Sequence, residues 1–135
     1  MAIAGTLAIP GTLRSQPANQ RIRLGVLGLG GRGINLAKMF AREPDVEIAW
    51  LCDPDSRRAA RALAAFEPAP GRSPEFAQDF RRVLDDREVD ALVIATPDHW
   101  HGLATVLACQ AGKDVYVEKP LSHNAREGRQ MIAAA

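Results

Sequence analysis

No sign of charge dominates this sequence. Lys plus Arg is 17 and Asp plus Glu is 16, for a net charge of +1. A chain so balanced lacks the basic field that attracts nucleic acid or an anionic membrane. Cysteine is scarce: Cys52 and Cys109 are far apart, each inside an apolar run. They read as buried free thiols of a reducing compartment, not as a disulfide or a metal pair. His99 and His101 are the only closely spaced histidines, and no third ligand is near them in sequence, so no metal site is expected. No apolar stretch is long enough to span a bilayer. Repeats and low-complexity segments are also missing.

What is there is an ordinary composition, 47% apolar and 24% charged over 135 residues. That is enough for one domain with a core. Residues 1–20 stand apart from it. Ala2 to Ile9 is small and apolar, Pro10-Gly11 breaks the run, and Arg14, Ser15, Pro17 and Asn19 resemble a linker. The segment reads as a tail or as the remnant of an export signal, with an apolar centre but no basic start. The domain proper is expected over 21–135. A cytoplasmic location is expected for the chain as given, with an exported full-length parent as the alternative.

The most informative stretch is Gly28-Leu29-Gly30-Gly31-Arg32-Gly33. It follows the apolar run Ile22 to Leu27 and precedes a helical pattern. Such a G-x-G-x-x-G match is weak alone. Between a strand and a helix, with an acid about twenty residues on, it marks a dinucleotide site. Asp53 is that acid, at the end of a second apolar run. Gly28 permits the tight turn, Gly30 lets backbone approach a pyrophosphate, and Gly33 allows close helix–strand packing. The helix start offers unpaired N–H groups and a positive dipole end.

Beyond that turn the pattern alternates. Strands are expected at Arg23–Gly28, Glu47–Cys52, near Phe76–Gln78, at Ala91–Thr96 and at Val115–Glu118. Their apolar runs are continuous, as in strands buried on both faces of a parallel sheet. Helices are expected at Gly31–Arg42, with Ile34, Ala37, Phe40 and Ala41 on one face, and from Pro54 through Phe66, with Ala59, Leu63 and Phe66 inward. The loop after Phe66 is rich in Pro, Gly and Ser. Asp79 caps a short helix holding Phe80, Val83 and Leu84. His101–Ala111 is a helix closed by Gly112. Asn124 and Glu127 form a capping box before the last helix. The fold class is therefore α/β: a doubly wound, Rossmann-like parallel sheet of order 3-2-1-4-5. Ligands of such sheets sit at the carboxyl ends of the strands, where the winding reverses.

Three groups of residues fall there. Asp53 reads as the acceptor of both ribose hydroxyls of an adenosine, or as the cap of the helix after it. The acidic Cys52-Asp53-Pro54-Asp55 disfavours a 2′-phosphate, while Arg57 and Arg58 keep NADP open beside NAD. Thr96-Pro97-Asp98-His99-Trp100-His101 reads as a wall for the nicotinamide end, or as plain cover for the sheet edge. Glu118-Lys119-Pro120 offers a proton donor or substrate clamp, or else a solvated Glu–Lys pair before a proline turn.

Together with Ala111 to Val117, the Asp90 to His101 stretch and Leu121-Ser122, these motifs resemble the N-terminal domain of the glucose–fructose oxidoreductase, inositol dehydrogenase and rhizopine-catabolism (Gfo/Idh/MocA) family. The resemblance covers 21–135. It implies NAD(P)-dependent oxidation or reduction of a sugar, polyol or related alcohol, with Lys119 at the catalytic centre. The cofactor-binding set expected is Gly28, Leu29, Gly30, Gly31, Arg32, Gly33, Asp53, Thr96, Pro97, His101, Glu118, Lys119 and Pro120. Family members continue with another strand and a second α/β domain that completes the substrate pocket. The expectation is thus a domain truncated before its last strand, inactive alone, with an edge that favours self-association. A substrate is expected only in a full-length parent. The rival readings are a non-catalytic dinucleotide-binding module and the cofactor domain of an NAD-using glycosidase.

Overall fold

The computed structural model describes residues 21–65 and 73–135. The expectations for 1–20, for Phe66 and for the loop at 66–72 lie outside the described residues. Five strands, β1 (Ile22–Leu27), β2 (Val46–Cys52), β3 (Glu75–Ala77), β4 (Ala91–Ile94) and β5 (Asp114–Val117), form one sheet. Its order is β3-β2-β1-β4-β5 and every pairing is parallel. The winding reverses between β1 and β4, as expected for a Rossmann-like sheet.

The helices are α1 (Gly31–Phe40), α2 (Ser56–Ala65), α3 (Arg81–Asp85), α4 (His101–Gln110) and α5 (Ala125–Ala134), with a 3-10 turn at Asp98–Trp100 before α4. On one face of the sheet, Leu24, Val26, Ile48, Leu51 and Val93 pack with Leu36 and Ala37 of α1 and Ala59 and Ala62 of α2. On the other, Leu27, Trp50, Leu92 and Ile94 pack with Val83 of α3 and Ala104 and Ala108 of α4. Each fully buried Leu or Ile contributes about 1.5–3 kcal/mol. The two faces together explain why the strand runs are continuously apolar.

Several local expectations are corrected. Helix α2 starts at Ser56, not Pro54. The Asp53 and Asp55 carboxylates draw the backbone into successive turns first, accepting the N–H groups of Asp55 and Arg57. Ala62, not Leu63, faces inward: Leu63 is 37% exposed. The small Ala59 and Ala62 let α2 lie close to the sheet. On α1, Leu36 is buried and Ala41 falls beyond the helix end. Strand β4 ends at Ile94, where the chain turns toward Pro97. Cys52 is buried as expected, but Cys109 is only half-buried, because α4 turns that side toward a groove against α5 and β5.

Strand β5 breaks the buried pattern too. Its residues alternate between exposed and half-buried, because among the described residues it pairs with β4 alone. A groove of about 480 Å³ beside it is lined by Cys109, Val115, Val117, Leu121, Met131 and Ile132 among others. The N-cap expected at Asn124 forms, Asn124 Oδ1 accepting the Glu127 N–H at 3.0 Å, but the return bond of a capping box goes to the residue before the cap. The Glu127 carboxylate in turn accepts the His123 N–H at 3.2 Å. Gly112, with φ +72°, closes α4.

Candidate functional site

The chain leaves β1 through Gly28, whose φ is +85°. A side chain there would be strained and would meet the Ala95 carbonyl oxygen at 2.7 Å. Gly33 is more constrained still. A Cβ on it would lie 1.8 Å from the Gly28 carbonyl oxygen, so α1 rests directly on the turn. Gly30 stands at the N-terminal cap of α1 and supplies no side-chain cap. The first N–H groups of α1 thus face outward beside the cavity with the positive dipole end.

Asp53 sits at the end of β2, only 5% exposed. Its Oδ2 accepts the Leu29 N–H at 2.8 Å and its Oδ1 accepts the Asp55 N–H at 2.9 Å. The carboxylate therefore ties the glycine turn to the second strand. It also faces a cavity of about 920 Å³ that runs along the carboxyl ends of the sheet. Of the expected cofactor residues, Gly28, Gly30, Gly31, Arg32, Asp53, Thr96 and Pro97 line it. Leu29 and Gly33 act behind that surface, one as donor to Asp53 and the other in the helix–turn contact.

The second half of the wall comes from Thr96, Pro97, Trp100, Leu103, Ala104 and Leu107. Thr96 Oγ1 is buried with no hydrogen-bond partner among the described residues. Beside a polar-rimmed cavity, such an atom fits a ligand that supplies the missing partner. A turn in which Gly28 and Gly33 leave no room for a Cβ, a helix start without a side-chain cap and this orphaned hydroxyl all fit a dinucleotide.

His101 departs from its expected place. It is 1% exposed and is not among the residues that line the cavity. Its Nδ1 lies 2.7 Å from the Pro120 carbonyl oxygen and its Nε2 lies 2.9 Å from that of Thr96. The ring bridges the segments that leave β4 and β5, so it shapes the site from beneath. Glu118, Lys119 and Pro120 follow β5. None of the three is among the residues that line the cavity; Glu118 pairs with Arg32, which does line it, and Lys119 is exposed. Beside them, His123 Nδ1 lies 3.3 Å from Asp98 Oδ2. That contact holds the Asp98 carboxyl below its usual range.

Sequence reasoning missed the residues after β3. Gln78, Asp79, Phe80 and Arg81 line the cavity together with Arg58. Their position after a strand of the same parallel sheet was the available signal. Arg81 is locked on Asp79, whose pKa is lowered to about 2 by that hydrogen bond. Arg58 lies 3.8 Å from Asp53 and 3.9 Å from Asp55. The Cys52 thiol, also in the lining, is pushed up to about 12, first by burial and then by the charges of Asp53 and Asp79. It is inert as a nucleophile at neutral pH.

Comparison with known proteins agrees with this geometry. Residues 22–135 match the model of an oxidoreductase family described by its NAD-binding Rossmann fold. A curated relative from Saccharopolyspora erythraea, named glycosyl hydrolase family 109 protein, is 36% identical over 107 residues, which is 76% of this chain and 23% of the relative. GenD2 from gentamicin A biosynthesis, solved in complex with NAD, superposes with a TM-score of 0.78 at 28% identity, covering 92% of this chain and 34% of that one. The WlbA dehydrogenase from Bordetella pertussis, solved with NADH and UDP-GlcNAcA, gives 0.75 at 28% identity, covering 86% and 33%. The chain thus spans about a quarter to a third of the length of the proteins it matches.

Proposed function

This chain belongs to the Gfo/Idh/MocA oxidoreductase family, with residues 22–135 as its NAD-binding Rossmann domain, and from that premise we propose that it serves hydride transfer at the hydroxyl-bearing carbon of a sugar, polyol or related alcohol. The observation that carries the proposal is the cavity that joins the glycine turn and Asp53 at one end to Thr96, Pro97 and Trp100 at the other. The nicotinamide cofactor supplies the hydride chemistry when bound. The chain's own groups do the rest. Gly28, Gly30 and the start of α1 receive the pyrophosphate. Asp53, with its remaining lone pairs, accepts the adenosine ribose hydroxyls. Thr96, Pro97 and Trp100 shield the nicotinamide end from water. Lys119 holds the substrate hydroxyl and moves its proton.

We assign NAD rather than NADP because Asp53 and Asp55 both border the ribose position. Arg58, 3.8 Å from Asp53 and 3.9 Å from Asp55, is a cation placed to soften that preference. Titration calorimetry of the 135-residue chain tests the assignment. NADH is expected to bind with a Kd of roughly micromolar to millimolar, ~1 mM corresponding to about −4 kcal/mol, and NADPH more weakly. No heat with millimolar NADH would overturn it.

A second reading has a specific finding behind it. Curated relatives at 36% and 33% identity are named glycosyl hydrolase family 109 proteins. A glycosidase that oxidises its sugar transiently returns the hydride within each cycle. The two readings separate on cofactor balance: a dehydrogenase accumulates NADH with turnover, and a glycosidase of this kind does not.

A further inference from the structure

The glycine turn and the end of β5 are 86 residues apart in sequence, yet an ion pair joins them. Arg32, the second residue of α1, places Nε 2.7 Å from Glu118 Oε1, and its Nη2 donates to the same oxygen. The Tyr116 hydroxyl reaches that oxygen too, at 3.4 Å. One carboxylate oxygen thus takes all three of these side-chain bonds, in place of the parallel fork that makes Arg–carboxylate pairs strong. The Glu118 side chain is 12% exposed and that of Arg32 is 59% exposed. The glutamate is the anchored partner and the guanidinium is the one free to turn.

Arg32 also lines the dinucleotide cavity, next to Gly30 and Gly31. The two other cations of that lining, Arg58 and Arg81, lie beside carboxylates of their own side of the cavity. Arg32 alone among these three draws its partner from the far end of the sheet. A guanidinium matched by a carboxylate attracts a phosphate weakly. Turning to a phosphate costs Arg32 an ion pair made to a single oxygen and exposed on the arginine side, a geometry worth little, and gains charge-assisted bonds in a site that already favours anions.

We propose that Glu118 sets the affinity of this site by competing with the phosphates of the dinucleotide for Arg32. The inference rests on the dinucleotide reading above. It makes Glu118 a positioning residue that acts through Arg32, and it predicts that removing an apparent site residue improves binding. The pairing keeps both groups charged at neutral pH, the Glu118 carboxyl held below its usual range and the Arg32 guanidinium raised.

The test is NADH fluorescence titration of the 135-residue chain as wild type, Glu118→Gln, Arg32→Gln and the double variant, with circular dichroism to verify folding. Glu118→Gln is expected to tighten NADH by about threefold, the scale of an exposed ion pair. Arg32→Gln is expected to weaken it by about tenfold, the scale of charge-assisted bonds. In the Arg32→Gln background, Glu118→Gln should change nothing. Unchanged or weaker binding by Glu118→Gln overturns the inference, as does tightening that persists in the double variant. Should Glu118→Gln unfold, Glu118→Asp, which shortens the reach to Arg32, takes its place with the same expected tightening. A wild type that binds no NADH at millimolar concentration removes the dinucleotide reading and this inference with it. A wild type that binds, with four proteins of equal affinity, rejects this inference alone.

Discussion

Asp53→Asn removes one charge and one acceptor from a carboxylate that is 5% exposed. The two oxygens of Asp53 hold two backbone donors, Leu29 N–H at 2.8 Å and Asp55 N–H at 2.9 Å. Asparagine keeps one carbonyl oxygen. Its amide nitrogen must then face the other N–H, donor against donor. A hydrogen bond to a charged group is worth about 1.5–3 kcal/mol, and an orphaned buried donor costs about 1–3 kcal/mol. Counting these as one loss rather than two, the variant should be destabilised by about 2–3 kcal/mol. At roughly 3–6 °C of Tm per kcal/mol for a domain near this size, the melting temperature should fall by about 6–18 °C.

The same substitution acts on the ligand. The 2′-phosphate of NADPH then meets one carboxylate, Asp55, instead of two, and Arg58, 3.8 Å from Asp53 and 3.9 Å from Asp55, loses one of its two carboxylate neighbours. NADH loses an acceptor for its ribose. The NADH/NADPH affinity ratio should therefore narrow by about tenfold, or ~1.4 kcal/mol. Thermal melting by circular dichroism and calorimetry with both cofactors read the two effects separately. A Tm within a degree of wild type would refute the structural bonds. A reduced Tm with an unchanged ratio would leave Asp53 as a tie between β1 and β2 and nothing more.

Three further outcomes follow from the geometry. Gly33→Ala places a Cβ 1.8 Å from the Gly28 carbonyl oxygen, so it should cost about 1–3 kcal/mol or more of stability and weaken NADH; Gly31→Ala, with nothing within 4 Å, should leave the Tm unchanged, and equal Tm values for the two variants would contradict the packing argument. Asp86 accepts the Trp50 Nε1–H at 2.8 Å, which lowers its pKa from 3.8. Its stabilisation is therefore fully present above that value and lost as pH falls through the lower folded one, so the gap in urea midpoint between wild type and Asp86→Asn should be widest near neutrality and close in acid. The outer edge of β5, unpaired among the described residues, with Tyr116 42% exposed and Ile132 78% exposed beside it, should recruit a second chain. We expect concentration-dependent association by analytical ultracentrifugation, weakened by Tyr116→Lys, and a monodisperse monomer at high concentration would contradict it.

Much of the fold was legible because its cues are local. A glycine must stand where φ is positive, and Gly28 and Gly112 stand there. A strand buried on both faces must be apolar throughout, as β4 is. The handedness of strand–helix–strand units and the placement of the glycine turn then leave few sheet orders to choose from. Leu63 misled because periodicity admits both Leu63 and Ala62 to the inner face. The choice between them depended on how closely α2 approaches the sheet.

The chemistry of the glycine turn and the acid after β2 was written into residues 28–33 and 53, since turn geometry, helix ends and strand burial are properties of neighbouring residues. The partners were not. That Asp53 holds the Leu29 N–H, that His101 bridges Thr96 and Pro120, and that Glu118 answers Arg32 all depend on side chains 19 to 86 residues apart, or on the two ends of a turn. Such pairs exist only once five parallel strands bring their carboxyl ends to one edge. Hydrogen bonds act over about 3 Å, a range on which sequence separation carries no information.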